Sequence, residues 1–232
     1  MKRLLPDRIE FSVLLAGIVV AGGLWGFVEL AEVARAAPAH GLDTEILLLL
    51  REAGNPADPI GPAWLEEAVR DITGLGSMIV LVMATAAAIV YLLLVGRRRQ
   101  ALLVLVAVGG GQILSSLLKL GIDRPRPHLV PHLVEVQTLS FPSGHAMMAA
   151  VTYLTLGSML AGTVKGTAIR VYVLGLAVLV TLMVGASRVY LGVHWPSDVL
   201  AGWCAGFAWA MLCWLVARNL LRRDAGSDAA DQ

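Results

Sequence analysis

Six apolar runs, each roughly the twenty residues needed to span a bilayer core, constrain what this chain can become. Inside lipid, backbone N–H and C=O groups must be satisfied by the segment itself, so a run of this length is a membrane-spanning helix. The runs fall at about 11–30, 75–95, 101–118, 145–161, 171–186 and 199–217. Of the 232 residues 57% are hydrophobic and 15% charged, where a soluble domain carries roughly a quarter charged residues. Mean hydropathy is +0.75. The fold class that follows is all-α, a polytopic bundle of six transmembrane helices, and a soluble domain is excluded.

The first run follows a short basic start (Lys2, Arg3, Arg8) and is poor in small-residue cleavage sites, so it reads as a retained anchor. Its glycines, Gly17, Gly22, Gly23 and Gly26, predict close packing against another helix. Residues 32–75 form the longest polar connection. They hold Pro38, Pro56, Pro59 and Pro62 and two short amphipathic pieces, Leu42–Arg51 and Ala63–Ile72, suited to interfacial helices. The spans and their links make one domain over 1–223, and the small, polar stretch 224–232 reads as a disordered tail. Cys204 and Cys213 lie in one predicted helix, too far apart along its axis to bridge.

Lysine and arginine bias orients such a chain. Lys2, Arg3 and Arg8, then Arg97 to Arg99, then Lys165 and Arg170, then Arg218, Arg222 and Arg223 all fall on one side of six spans. That side is the expected cytoplasm, with both termini there and the chain in the inner (plasma) membrane. The opposite side carries the acidic 32–75 segment. It also carries Lys119, Arg124, Arg126 and Arg188, cations that the bias would not put there. Ionisable groups at the edge of a span point to function.

Three segments converge on that outer face, each at the end of a different helix. They are Lys119 to Pro127, Phe141 to His145, and Ser187 to Asp198. Lys119, Arg126 and Arg188 form a cationic clamp suited to phosphate. Pro142-Ser143-Gly144 reads as a helix start with Ser143 as N-cap, offering an anion free N–H groups and a backbone that can approach closely. Pro196 suits the first turn of the last helix, so Asp198 can reach back to His194, fix its tautomer through Nδ1 and leave Nε2 free to attack. His145 can protonate a leaving oxygen. Singly, each signal has a plain reading: Lys119 as a snorkelling lysine, Arg124 and Arg126 as interfacial anchors, Pro-Ser-Gly as an ordinary cap. Jointly they point to phosphoryl transfer. His128 and His132 read as loop histidines, and Trp195 and Trp203 as belt or packing aromatics.

The three segments resemble the signature of the type 2 phosphatidic-acid phosphatase, or lipid phosphate phosphatase, superfamily. Its parts are lysine, six residues, Arg-Pro; Pro-Ser-Gly-His; and Ser-Arg, five residues, His, three residues, Asp. The chain reads Lys119…Arg126-Pro127, Pro142-Ser143-Gly144-His145 and Ser187-Arg188…His194…Asp198. The resemblance implies that His194 attacks phosphorus to form a phosphohistidine, Asp198 orients it, and His145 donates a proton to the leaving group. It implies that Lys119, Arg126, Ser143, Gly144 and Arg188 hold the phosphoryl oxygens, and that neither metal nor other cofactor is required. Arg124, in a duplicated Arg-Pro, falls outside the strict spacing and receives no role. The expected substrates are lipid phosphates or pyrophosphates at the outer leaflet: phosphatidate, phosphatidylglycerol phosphate or undecaprenyl pyrophosphate. A lipid phosphotransferase on the same scaffold and a non-enzymatic transporter of anionic lipids are the alternatives. The expected partners are the bilayer and its lipid phosphates, with no nucleic acid.

Overall fold

The computed structural model describes residues 4–36, 41–136 and 138–227, with side chains placed over 13–218 within them. Along this chain run α1 (Leu4–Ala36), α2 (Gly41–Leu49), β1 (Arg51–Glu52), β2 (Asn55–Pro59), α3 (Ala63–Gly74), α4 (Met78–Leu94), α5 (Arg98–Lys119), α6 (Gly144–Thr163), α7 (Thr167–Tyr190) and α8 (Pro196–Ser227). Helices α1, α5, α6, α7 and α8 are each long and apolar enough to cross a membrane, and α3 with α4 forms a sixth candidate span bent by 47°.

The all-α, six-span reading therefore stands, with its second span revised. The helix expected from Leu75 starts at Met78, where Ser77 Oγ accepts the Val80 N–H at 3.4 Å. The break needs a glycine. Gly76 lies against Val184 and the His145 ring, where a Cβ would clash, and α3 leads in there at an angle. The amphipathic piece expected over Leu42–Arg51 ends earlier, at Leu49. Arg51 enters the hairpin, opposite Pro59, because its Nη1 donates to the Tyr190 carbonyl at 2.9 Å and ties it to the end of α7. Helix α8 runs on to Ser227, past Asp224 where the sequence predicts a tail; residues 228–232 lie outside those described.

The bundle shows how a membrane inverts the usual core. On α5 the buried positions Ala101, Val104, Ala107, Val108, Gly111 and Ser115 recur every three or four residues and are small. Leu102, Leu105, Val106, Ile113 and Leu117 are large and exposed. Small residues let helices approach closely, while the large aliphatic side chains suit lipid. Helix α1 packs along α8, with Gly23 and Gly26 against Cys204, while a Cβ at Gly17 or Gly22 would meet nothing within 4 Å among the described residues. Helix α6 packs on both α7 and α8. The α6–α8 seam is close-packed on backbone: a Cβ at Gly202 would lie 2.7 Å from the Ser143 carbonyl oxygen, and one at Gly206 would lie 2.7 Å from that of Met147.

Candidate active site

Antiparallel packing brings four helix ends to one end of the bundle: the C-termini of α5 and α7 and the N-termini of α6 and α8. The Ser143 N–H donates to the Asp198 carbonyl at 3.0 Å, so the start of α6 is hydrogen-bonded directly to the first turn of α8. His145 and His194 consequently share one end of the bundle.

His194 sits in the turn between α7 and α8. Pro196 opens α8, as its fixed φ favours. Asp198, one turn in, accepts the Trp195 N–H on Oδ2 at 3.0 Å, and the same oxygen lies 3.4 Å from His194 Nδ1. Ser140 Oγ donates to it as well. On the far edge of the ring, Arg126 Nη1 lies 3.2 Å from His194 Nε2. A guanidinium has only donors, so Nε2 must present its lone pair and the ring proton belongs on Nδ1, facing Asp198. Burial pushes the His194 imidazole down to about 4. The hydrogen bond and charge of Asp198 act the other way, and the Arg126 and Arg188 cations add to the depression.

The cations surround this ring. Arg126 Nε donates to the Thr138 carbonyl at 2.8 Å and Nη1 to that of Val193 at 2.6 Å. Lys119 Nζ donates to Thr138 Oγ1 and the Leu139 carbonyl, both at 3.2 Å, and lies 4.0 Å from where a Cβ on Gly144 would stand. Arg188 is buried. Its Nη1 donates to Thr73 Oγ1 at 2.9 Å, while Nε has no partner among the described residues. Ser143 takes the N-cap position of α6, but its buried hydroxyl makes no cap bond and has no other partner among the described residues. His145 is half-buried beside Gly76. A cavity of about 570 Å³ opens alongside, lined by Lys119, Arg124, Arg126, His132 and Thr138.

All eight residues singled out from sequence thus come to one end: Lys119, Arg126, Ser143, Gly144, His145, Arg188, His194 and Asp198. Four others were missed. Ser140 and Thr73 carry no sequence signal beyond their hydroxyls. Arg124 is fully buried, donating to Asp198 Oδ1 at 2.6 Å, Ser197 Oγ at 2.8 Å and Asp43 Oδ2 at 2.7 Å. Its duplicated Arg-Pro was the available hint. Asp43 shares the buried face of α2 with Leu47, four residues on, and an acid on the apolar face of an amphipathic piece was the signal for it. Trp195 is a packing aromatic, buried, with Nε1 donating to the Pro125 carbonyl at 3.1 Å and Arg124 over its ring.

A cation-lined pocket at the mouth of a membrane bundle, with a buried histidine presenting a lone pair, defines an integral membrane phosphatase. Residues 100–222 match the PAP2 superfamily, and the chain belongs to that family. It is 35% identical over 146 residues to phosphatidylglycerophosphatase B of Bacillus subtilis, covering 62% of this chain and 70% of that one. The crystal structure of a transmembrane PAP2 type phosphatidylglycerolphosphate phosphatase from Bacillus subtilis superposes with a TM-score of 0.71 at 28% identity, covering 87% of this chain and 97% of the other. A shorter match, 42% over 67 residues, is to an undecaprenyl-diphosphatase of Sulfolobus acidocaldarius, covering 29% and 28% of the two chains. The protein is a membrane-embedded lipid phosphatase of the PAP2 superfamily.

Proposed function

We propose that the enzyme hydrolyses a glycerophospholipid phosphate monoester, with phosphatidylglycerol phosphate as the first candidate, through a phosphohistidine on His194. The observation that carries this reading is the setting of His194, whose Nδ1 lies 3.4 Å from Asp198 Oδ2 and whose Nε2 lies 3.2 Å from Arg126 Nη1. In the first step the Nε2 lone pair attacks phosphorus, the P–O bond to the lipid breaks, and His145 protonates the leaving oxygen. Water then attacks the phosphohistidine, with His145 taking its proton, and phosphate leaves. Lys119, Arg126 and Arg188, the Ser143 hydroxyl and the Gly144 backbone hold the phosphoryl oxygens. Fixed donors of this kind supply the positioning and charge stabilisation that phosphoryl transfer chiefly needs. The likeness over most of the chain to a phosphatidylglycerolphosphate phosphatase favours that head group over pyrophosphate.

Phosphate release from phosphatidate, phosphatidylglycerol phosphate and undecaprenyl pyrophosphate in detergent tests the substrate, with His194→Ala as control. Labelled substrate should leave acid-labile, alkali-stable phosphate on the wild type and none on His194→Ala. Retained turnover by His194→Ala would end the covalent reading. Product lipid without equivalent free phosphate would favour the phosphotransferase.

The site faces the periplasm or cell exterior, with both termini in the cytoplasm of an inner-membrane protein. The distribution of lysine and arginine supports this orientation. In a variant lacking Cys204 and Cys213, a cysteine replacing exposed Ala57 in the hairpin should react with an impermeant maleimide on intact cells. Labelling only after lysis would reverse the orientation.

A further inference from the structure

We infer that Asp43, on α2 and outside the 100–222 family match, is a positioning residue for catalysis, acting through Arg124 on the Asp198 carboxylate that orients His194. This rests on the reading of His194 as nucleophile given above. Arg124 is a buried bridge between two carboxylates: Nη1 is 2.6 Å from Asp198 Oδ1 and Nη2 is 2.7 Å from Asp43 Oδ2. Asp43 also caps α8. Its Oδ1 accepts the Ser197 N–H at 2.8 Å and its Oδ2 the Ser197 hydroxyl at 2.5 Å. One side chain from α2 therefore fixes both the first turn carrying Asp198 and the cation holding Asp198 in place.

The consequence follows from burial. Asp43, Arg124 and Asp198 are all nearly inaccessible to water, so a cation deprived of one partner turns to the other. Without Asp43, the pull on Arg124 from that side is lost and the cation is drawn more strongly to Asp198. It then competes with the imidazole for the carboxylate that holds the Nδ1 proton. The defect should appear in the chemical step, since among the described residues Asp43 bonds to Arg124 and Ser197 and makes no hydrogen bond or ion pair with Lys119, Arg126, Ser143 or Arg188.

The test compares Asp43→Asn, Arg124→Gln and the double variant with wild type and His194→Ala. Each is assayed in detergent for phosphate release from phosphatidylglycerol phosphate and for the phosphoenzyme. Asparagine keeps an acceptor for the cap but removes the charge. Asp43→Asn should lower kcat by up to about 10-fold, less than the 10- to 100-fold scale for removing a partner in direct contact with a metal-bound imidazole, because Asp43 acts through Arg124 and Asp198. KM should stay within about twofold, and phosphoenzyme formation should slow in parallel. The double variant should be no worse than Arg124→Gln, because the two act as one unit. Unchanged kcat in folded Asp43→Asn, or a rise in KM alone, would overturn the inference while leaving the His194 reading intact. An active His194→Ala would instead sink the underlying mechanism. If Asp43→Asn does not accumulate folded, Ser197→Ala, which removes one hydroxyl bridging the same pair, should give a smaller loss in kcat with KM unmoved. No loss there would likewise overturn it.

Discussion

Arg126 Nη1 lies 3.2 Å from His194 Nε2 while Nε of the same guanidinium donates to the Thr138 carbonyl at 2.8 Å. The proposed nucleophile, kept neutral chiefly by burial, is therefore aimed by a cation that is itself anchored to the loop before α6. One planar group with donors on separate edges performs both tasks, which a lysine ammonium cannot.

Arg126→Lys should accordingly lower kcat/KM although the charge is kept. Losing a charge-assisted hydrogen bond is worth about 1.5–3 kcal/mol, which is about a 10- to 150-fold loss in rate. Steady-state phosphate release measures it. Inhibition by inorganic phosphate should weaken in the same variant. Near-normal kcat/KM would mean that Arg126 merely anchors the loop.

Ser143 separates a functional hydroxyl from a structural one. Its Oγ is buried with no partner among the described residues, a state that costs about 1–3 kcal/mol of desolvation. Ser143→Ala should therefore melt at or above the wild-type temperature in detergent, while kcat/KM falls about tenfold, as expected for one hydrogen bond to a charged oxygen. A lower melting temperature with unchanged turnover would assign the hydroxyl to the fold.

Much of this was legible in the sequence for a physical reason. Lipid admits few polar side chains, so Lys119, Arg126, Arg188, His194 and Asp198 stand out at the edges of apolar runs, and antiparallel spans must bring alternate edges together. Pro196 announced the start of α8 and hence the reach of Asp198 to His194. The link from Asp43 to Arg124 was hidden because it joins positions 81 residues apart. Its acid was also one of eight in the acidic 32–75 segment, and acidity alone did not set it apart from the others. The α3–α4 bend was hidden in the sequence, and the close approach of Gly76 to His145 and Val184 at the break is tertiary.

Acid should destabilise the fold through His194. Its folded pKa lies at about 4, below the ordinary value of 6.5. As pH falls through 6.5 the unfolded chain takes up a proton that the folded chain refuses until about 4. Stability from this group is thus complete above about pH 6.5 and drains away between there and 4. Melting temperatures of wild type and His194→Gln across pH 4–8 test the sign: the difference, wild type minus variant, should be constant above 7 and fall steadily below 6.5. A difference that grows on acidification would mean a charged imidazole paired with Asp198 in the folded state.

The α6–α8 seam gives the sharpest contrast, because one chemical change can be made at two glycines with opposite outcomes. A Cβ at Gly175 on α7 meets nothing within 4 Å, whereas one at Gly202 meets the Ser143 carbonyl oxygen at 2.7 Å and the Ala146 Cβ at 3.1 Å. Gly175→Ala should raise stability by up to about 1 kcal/mol through helix propensity and leave turnover alone. Gly202→Ala gains the same propensity but must push α6 away from α8, an overpacking cost of about 1–3 kcal/mol. The displaced backbone belongs to Ser143, two residues before His145, so the loss should reach chemistry: displacements of this kind can cost about 100-fold in rate. Thermal melts and phosphate release on the two variants in parallel decide it. A Gly202→Ala enzyme as stable and as active as Gly175→Ala would show that the two halves of the site do not depend on the closeness of these helices.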